Sequence, residues 1–112
     1  MPRSARVKSE SGFYHVIAKG SGGQLLFEGP ADYRAFLDLL GRAGEKNGVV
    51  VIAYCLMSNH VHLLLDDPDD RLSQMMQYLM TCYAQHFNSA GGHIGHVFQQ
   101  RFKSQPVEDD AY

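Results

Sequence analysis

The sequence predicts an α+β domain of the ferredoxin-like kind, β-α-β-β-α-β, with two helices on one face of an antiparallel sheet. Two stretches carry apolar residues at helical spacing, and four short apolar or alternating runs are typical of strands. In chain order, each helical stretch stands between two strand-like runs. At 112 residues the chain is expected to form one domain, 1–112, with one modest core.

The first strand and first helix are predicted in the N-terminal half. Phe13 to Lys19 is a short apolar run that ends at a glycine-rich loop, and Leu25 to Phe27 either extends this strand or pairs with it. Pro30 suits a first helical position, and Asn47-Gly48 suits a helix end. Between them, these apolar residues recur at helical spacing: Tyr33, Phe36, Leu37, Leu40 and Ala43.

A tight antiparallel hairpin is predicted next. Val49 to Met57 is β-branched and nearly continuously apolar, which favours a strand buried on both faces. Ser58-Asn59 is prone to form a turn, and His60 to Leu65 resumes an extended pattern. Pro68-Asp69-Asp70 then ends the strand and offers a helix cap.

The second helix and the last strand complete the pattern. Ala90-Gly91-Gly92 is a suitable helix end, and Val97 to Phe102 is predicted as the final strand. The helix before it has a strong apolar stripe: Leu72, Met75, Met76, Leu79, Met80, Tyr83 and Phe87.

Composition and charge limit the classes of function. The apolar fraction of 45% and charged fraction of 20% are typical of a soluble globular protein, and no apolar run is long enough to span a membrane. No apolar run follows the basic N-terminus as in a secretory signal, so a cytoplasmic protein is expected. The net charge of −2 argues against broad, non-specific nucleic-acid binding. Cys55 and Cys82 are predicted as small core residues.

His60 and His62 are the residues whose pattern indicates chemistry. Residues two apart on a strand point to the same face, so the two imidazoles are expected to project together while Val61 faces the helices. Burying the two imidazoles without hydrogen-bond partners would cost free energy, whereas a divalent ion bound between them would satisfy their ring nitrogens. From the pair alone, a metal site and a chance surface pair both remain open.

The chain resembles the insertion-sequence-200-like transposases, which carry an HUH motif, and it resembles their repetitive-extragenic-palindrome-associated relatives most. The segment Asn59-His60-Val61-His62-Leu63-Leu64-Leu65 is similar to that motif, and Tyr14-His15-Val16 is similar to the family's first strand. Three further segments resemble the family in the same order along the chain: 53–59, 83–88 and 95–103.

The resemblance implies a transposase domain that binds single-stranded or hairpin DNA. In this family the histidine pair, here His60 and His62, helps to hold Mg²⁺ or Mn²⁺ against the scissile phosphate. A tyrosine attacks the phosphate and forms a phosphotyrosine intermediate. This covalent link conserves the energy of the broken phosphodiester bond for rejoining. A homodimer is left open.

The sequence departs from the family where the nucleophile is expected. The family's catalytic tyrosine lies on a helix beyond the last strand, and this sequence lacks the corresponding stretch, so a C-terminal truncation is expected. Tyr112 corresponds better to a structural tyrosine, and the catalytic residue stays unknown. Four other tyrosines are assigned no catalytic role, Tyr33, Tyr54 and Tyr83 as core residues and Tyr78 as a surface residue.

Other side chains are assigned secondary roles. His15 is a candidate ligand or a neighbour of the ligands, and His86 is expected near a helix end. His93 and His96 flank Gly95 in a loop, where contact with phosphate is one alternative. Arg101 and Lys103 lie in the basic segment that resembles the family and are predicted to share a strand face. They contact the DNA backbone or are simply solvated charges.

Three alternatives to an active transposase domain remain from the sequence. One is a metal-independent nucleic-acid-binding module, for which Phe13 and Tyr54 would offer stacking surfaces. Another is an inactive remnant of a transposase. The third is a metal phosphodiesterase that uses an activated water and needs no tyrosine.

Overall fold

The fold class predicted from the sequence is confirmed. A computed structural model describes residues 9–91, 95–99 and 101–108. It contains a four-stranded antiparallel sheet in the order β2-β3-β1-β4, together with two long helices and one short 3₁₀ turn at Ser21–Gly23. The main elements are β1 (Phe13–Lys19), α1 (Pro30–Asn47), β2 (Val50–Leu56), β3 (His60–Asp66), α2 (Leu72–Gly91) and β4 (Lys103–Pro106).

The two central strands separate a covered face from an open face. Burial alternates with period two along both strands, as expected for a sheet with one packed side. Both helices pack on the covered face, whose central side chains are almost fully buried: Tyr14, Val16, Ala18, Val61, Leu63 and Leu65. The opposite face, which we call the open face, carries the intervening residues, among them His15, His60 and His62.

Helix α1 has the bounds that the sequence predicts. Pro30 is in its first turn, and the left-handed Gly48 (φ 68°) ends it by donating its backbone N–H to the Gly44 carbonyl. Residues 25–27 form no strand, contrary to that prediction. Leu26 and Phe27 are instead buried in the core, and the Leu26 N–H donates to the Ser58 carbonyl at 2.7 Å.

Two glycines inside α1 are expected to respond oppositely to alanine. A Cβ on Gly44 would lie 2.7 Å from the Val49 carbonyl oxygen, whereas a Cβ on Gly41 would have no neighbour within 4 Å. We expect Gly44→Ala to lower the free energy of unfolding by about 1–3 kcal/mol through overpacking. The matched control Gly41→Ala is expected to raise it by about 0.8–1 kcal/mol, because alanine favours helix. Urea unfolding measures both, and equal effects of the two variants would contradict the close approach at Gly44.

Helix α2 begins at Leu72, as predicted, and its cap is an aspartate of the acidic loop before it, directly ahead of the predicted capping segment. The buried carboxylate of Asp67 accepts hydrogen bonds from the backbone N–H groups of Arg71 (2.8 Å) and Leu72 (2.9 Å). The predicted capping segment, Pro68-Asp69-Asp70, is exposed. Asp67 therefore satisfies donors that the first turn of a helix leaves without partners.

The prediction that the second strand is buried on both faces is wrong. Strand β2 lies at the edge of the sheet, and most of its side chains are exposed, Tyr54 by 52%. Cys55 is also exposed, and Cys82 is only partly buried, so neither cysteine is the core residue that was predicted. An apolar run cannot distinguish a central strand from an edge strand, since that depends on which strands pair.

The predicted position of the last strand is also wrong. Strand β4 is Lys103–Pro106, paired with residues 14–17 of β1, whereas the described residues of the predicted strand (97–99, 101 and 102) contribute only an isolated bridge between Phe98 and Gly20. The apolar residues Val97 and Phe98, which suggested a strand, are instead buried in the core. Pro106 lacks a backbone N–H and is tolerated because β4 is an edge strand.

No helix in the described ranges is both long and apolar enough to cross a membrane.

Candidate metal site

His60 and His62 lie side by side on the open face of β3, as predicted. Both rings are partly buried, and their centroids are 4.9 Å apart with an angle of 75° between the planes. The intervening Val61 is fully buried beneath the helices. The strand's alternation therefore fixes the pair on one rigid surface at the centre of the sheet.

Each of the two rings makes a hydrogen bond through Nδ1. His60 Nδ1 lies 2.9 Å from Asn59 Oδ1, and His62 Nδ1 lies 3.0 Å from Nε2 of His15. The rings of His15 and His62 are stacked, with centroids 5.2 Å apart and planes 25° apart. In both rings Nε2 is thus the nitrogen left for a ligand such as a metal ion.

His15 reaches His62 because the sheet places β1 beside β3. The register pairs Ile17 with His62 and His15 with Leu64, so His15 is the diagonal neighbour of His62 on the same face. Among the described residues, however, no three His, Cys, Asp or Glu side chains are grouped closely enough to hold a metal ion. Within that part of the chain, His15 contacts a candidate ligand and does not complete a three-ligand cluster.

The surroundings of His62 favour its neutral form. Burial, and then the neighbouring rings of His60 and His15, lower the pKa of His62 below its ordinary value. A neutral imidazole has a nitrogen lone pair available, which metal binding requires. The partial burial of the pair and the favoured neutral form of His62 are consistent with two imidazole ligands to a divalent ion.

Two lysines lie on the β1 side of the histidine pair on the open face. Lys103 opens β4 opposite Ile17 and lines a shallow depression with His15 and Gln105. Lys19 is paired with His60 and lines a second depression beside it. Lys19 was not predicted as part of the site, although the period of two from His15 places it on the same face.

The prediction that Arg101 and Lys103 share a strand face is wrong. Only Lys103 belongs to β4, while Arg101 is exposed and precedes the strand. His86 lies within α2 rather than at its end, where its Nε2 is 3.0 Å from the Asp32 carboxylate on α1. His96 is exposed, and His93 lies outside the described residues.

No tyrosine in the described ranges lies on the open face. Tyr14 is buried on the covered face, and Tyr54 is paired with Leu63, which also points to that side. The remaining ones are on the helices: Tyr33, Tyr78 and Tyr83. Tyr83 is fully buried and Tyr33 packs against the core, as predicted, whereas Tyr54 is exposed and Tyr78 is partly buried. Tyr112 lies outside the described residues.

Comparison with known proteins links the chain to one family. Residues 9–112 match the model of the family described as IS200-like transposases, and no curated protein matches the chain. The fold is similar to a REP-associated tyrosine transposase bound to a REP hairpin, with a TM-score of 0.74 and 15% identity over 99% of this chain and 65% of that one. It is also similar to a candidate transposase of Deinococcus radiodurans R1, with a TM-score of 0.68 and 24% identity over 98% and 89% of the two chains. At these identities the two structures show a shared fold only.

Proposed function

The chain belongs to the IS200-like transposase family, and on that premise we propose that it binds single-stranded or hairpin DNA through a divalent metal held by His60 and His62. The observation that carries the proposal is the pair of rings on the open face, 4.9 Å apart, with Nδ1 engaged in each. The chain spans 65% of the length of the hairpin-bound relative, so its DNA substrate and its reaction are both part of the proposal.

The two imidazoles fit Mg²⁺ or Mn²⁺ as part of an incomplete ligand set. Nitrogen ligands from two histidines leave several positions for oxygen ligands, which both ions accept and which a closed structural zinc site would not allow. Bound there, the metal would polarise a phosphoryl oxygen and offset negative charge in the transition state. His60 and His62 would hold the metal from a central strand, and the scissile phosphate would bind beside it on the open face.

The basic residues around the pair suit the DNA backbone. Lys19 on β1 and Lys103 on β4 are exposed and both lie on the β1 side of the histidines, so DNA that crosses the open face from β3 towards β4 would meet two cations. Contacts of this kind position the substrate without reading its sequence. Arg101, which is exposed just before β4, adds a further positive charge near the start of that strand.

Cleavage and rejoining need a tyrosine nucleophile, and the proposal assigns none of the described tyrosines to that role. Those on the sheet face the helices, and those on the helices are on the other side of the sheet from the histidines. We therefore propose metal and DNA binding for the described residues and leave the attacking tyrosine unassigned.

Hairpin DNA binding, measured at several salt concentrations with and without Mn²⁺, tests the proposal. We expect Mn²⁺ to tighten binding, because the metal would bridge the histidines to a phosphate. Lys103→Ala is expected to weaken binding and to lower the magnitude of the salt slope by about 1, as for the loss of one phosphate contact.

The control is Arg34→Ala, which removes an exposed charge from helix α1 on the other side of the sheet. It is expected to leave the salt slope unchanged. DNA binding that is indifferent to Mn²⁺ and to a chelator would contradict the proposal and favour a metal-independent nucleic-acid-binding module.

A further inference from the structure

We propose that His15 and Asn59 are positioning residues that hold His62 and His60, respectively, in the Nδ1–H tautomer, so that both Nε2 lone pairs are free for the metal. This inference rests on the proposed function, because the ring tautomers matter only if the two histidines bind a metal. In the metal-free protein, too, the ring protons of His60 and His62 lie on Nδ1.

Asn59 sets the tautomer of His60. Its side-chain oxygen lies 2.9 Å from Nδ1 of His60, and an amide oxygen can only accept a hydrogen bond. His60 Nδ1 must therefore carry the proton, and Nε2 of the neutral ring has the lone pair. Asn59 occupies the turn before β3 and its backbone carbonyl accepts from the Gly20 N–H at 2.9 Å, so the residue is anchored to β1 as well.

His15 plays the same part for His62. Two directions are chemically available for the 3.0 Å contact between His15 Nε2 and His62 Nδ1, because either nitrogen can be the donor. If His15 donated, the neutral His62 ring would carry its own proton at Nε2 and could not bind a metal through that atom. If His62 donates, His15 Nε2 is the acceptor and His62 Nε2 is available.

The similarity of the His60–Asn59 and His62–His15 contacts favours donation from His62 to His15. Both rings engage Nδ1, which would leave the two Nε2 atoms as a matched pair on the open face. A ligand histidine that donates its other N–H to an acceptor has a fixed ring orientation and is a more basic ligand. His15 is well suited as that acceptor because it lies on a central strand and stacks on the ring it orients.

The first measurement is the tautomer of His62 and His60 in the metal-free protein, from nitrogen–proton correlations by NMR at a pH where the rings are neutral. We expect the Nδ1–H form for both residues. His62 found as the Nε2–H form in the wild-type protein would overturn the inference.

The second measurement is Mn²⁺ affinity in variants. His15→Phe keeps a ring of similar shape without an acceptor and is expected to weaken affinity by about 10–100-fold, the usual effect of losing such a partner. His15→Gln restores an acceptor oxygen and is expected to recover part of that loss and to keep the His62 tautomer. Asn59→Ala should weaken affinity similarly, whereas Ser58→Ala, in the same turn, should not.

Several outcomes would overturn the inference, and one separates it from the proposed function. Wild-type affinity in His15→Phe, or a His15→Gln variant no better than His15→Phe, would show that His15 is not an acceptor for His62. Thermal unfolding of each variant excludes a change in folding as the cause. Failure of the wild-type protein to bind Mn²⁺ would contradict the proposed function, and the metal-free tautomers would still decide the hydrogen-bond assignment.

Discussion

Replacing both His60 and His62 with alanine is expected to weaken Mn²⁺ binding by more than about 100-fold, to below detection by calorimetry. Loss of a partner that merely orients a ligand typically costs about 10–100-fold in metal affinity, so loss of two ligands should cost more. That factor corresponds to at least about 2.7 kcal/mol of binding free energy. The fold should be retained, because both rings are only partly buried and lie on the open face rather than in the core.

The control for the double variant is His96→Ala, which removes an exposed imidazole outside the described helices and strands. It should bind Mn²⁺ as the wild-type protein does. Titration of all three proteins at equal pH and salt, with circular dichroism to verify folding, completes the comparison. Unchanged Mn²⁺ affinity in the double variant would remove His60 and His62 from the site altogether.

Replacing Tyr83 with alanine is expected to lower the free energy of unfolding by about 4–5 kcal/mol, a large part of the stability of a domain this size. Its ring is fully buried, with centroids 5.2–6.2 Å from those of four phenylalanine rings of the core, Phe27, Phe36, Phe87 and Phe98. Its hydroxyl donates to the Leu26 carbonyl at 2.5 Å. The substitution would leave both a cavity and an unpaired carbonyl.

Two further variants separate these contributions in urea unfolding. Tyr83→Phe keeps the ring and removes only the hydroxyl, so a loss of about 1–3 kcal/mol is expected from the Leu26 carbonyl left without its donor. Tyr54→Ala removes an exposed tyrosine from the edge strand and should change stability by less than about 1 kcal/mol. If Tyr83→Ala were no more destabilising than Tyr54→Ala, Tyr83 would not be at the centre of the core.

Elements with local signals could be predicted from the amino-acid sequence alone. The bounds of α1 follow from Pro30, Gly48 and the apolar spacing between them, and the projection of His60 and His62 from one face follows from the period of a strand. The same period placed Val61 in the core. The family resemblance, carried by residues in order along the chain, agreed with the family match over residues 9–112.

Which strands are neighbours and which lie at the sheet edges could not be predicted from local patterns and depends on the folded chain. The exposure of Tyr54 and Cys55, the shift of the last strand from 97–102 to Lys103–Pro106, and the contact of His15 with His62 all depend on strand pairing. His15 and His62 are far apart in the sequence and meet only because β1 lies beside β3. Pairing of this kind is set by the joint burial of several elements against each other, which no local pattern contains.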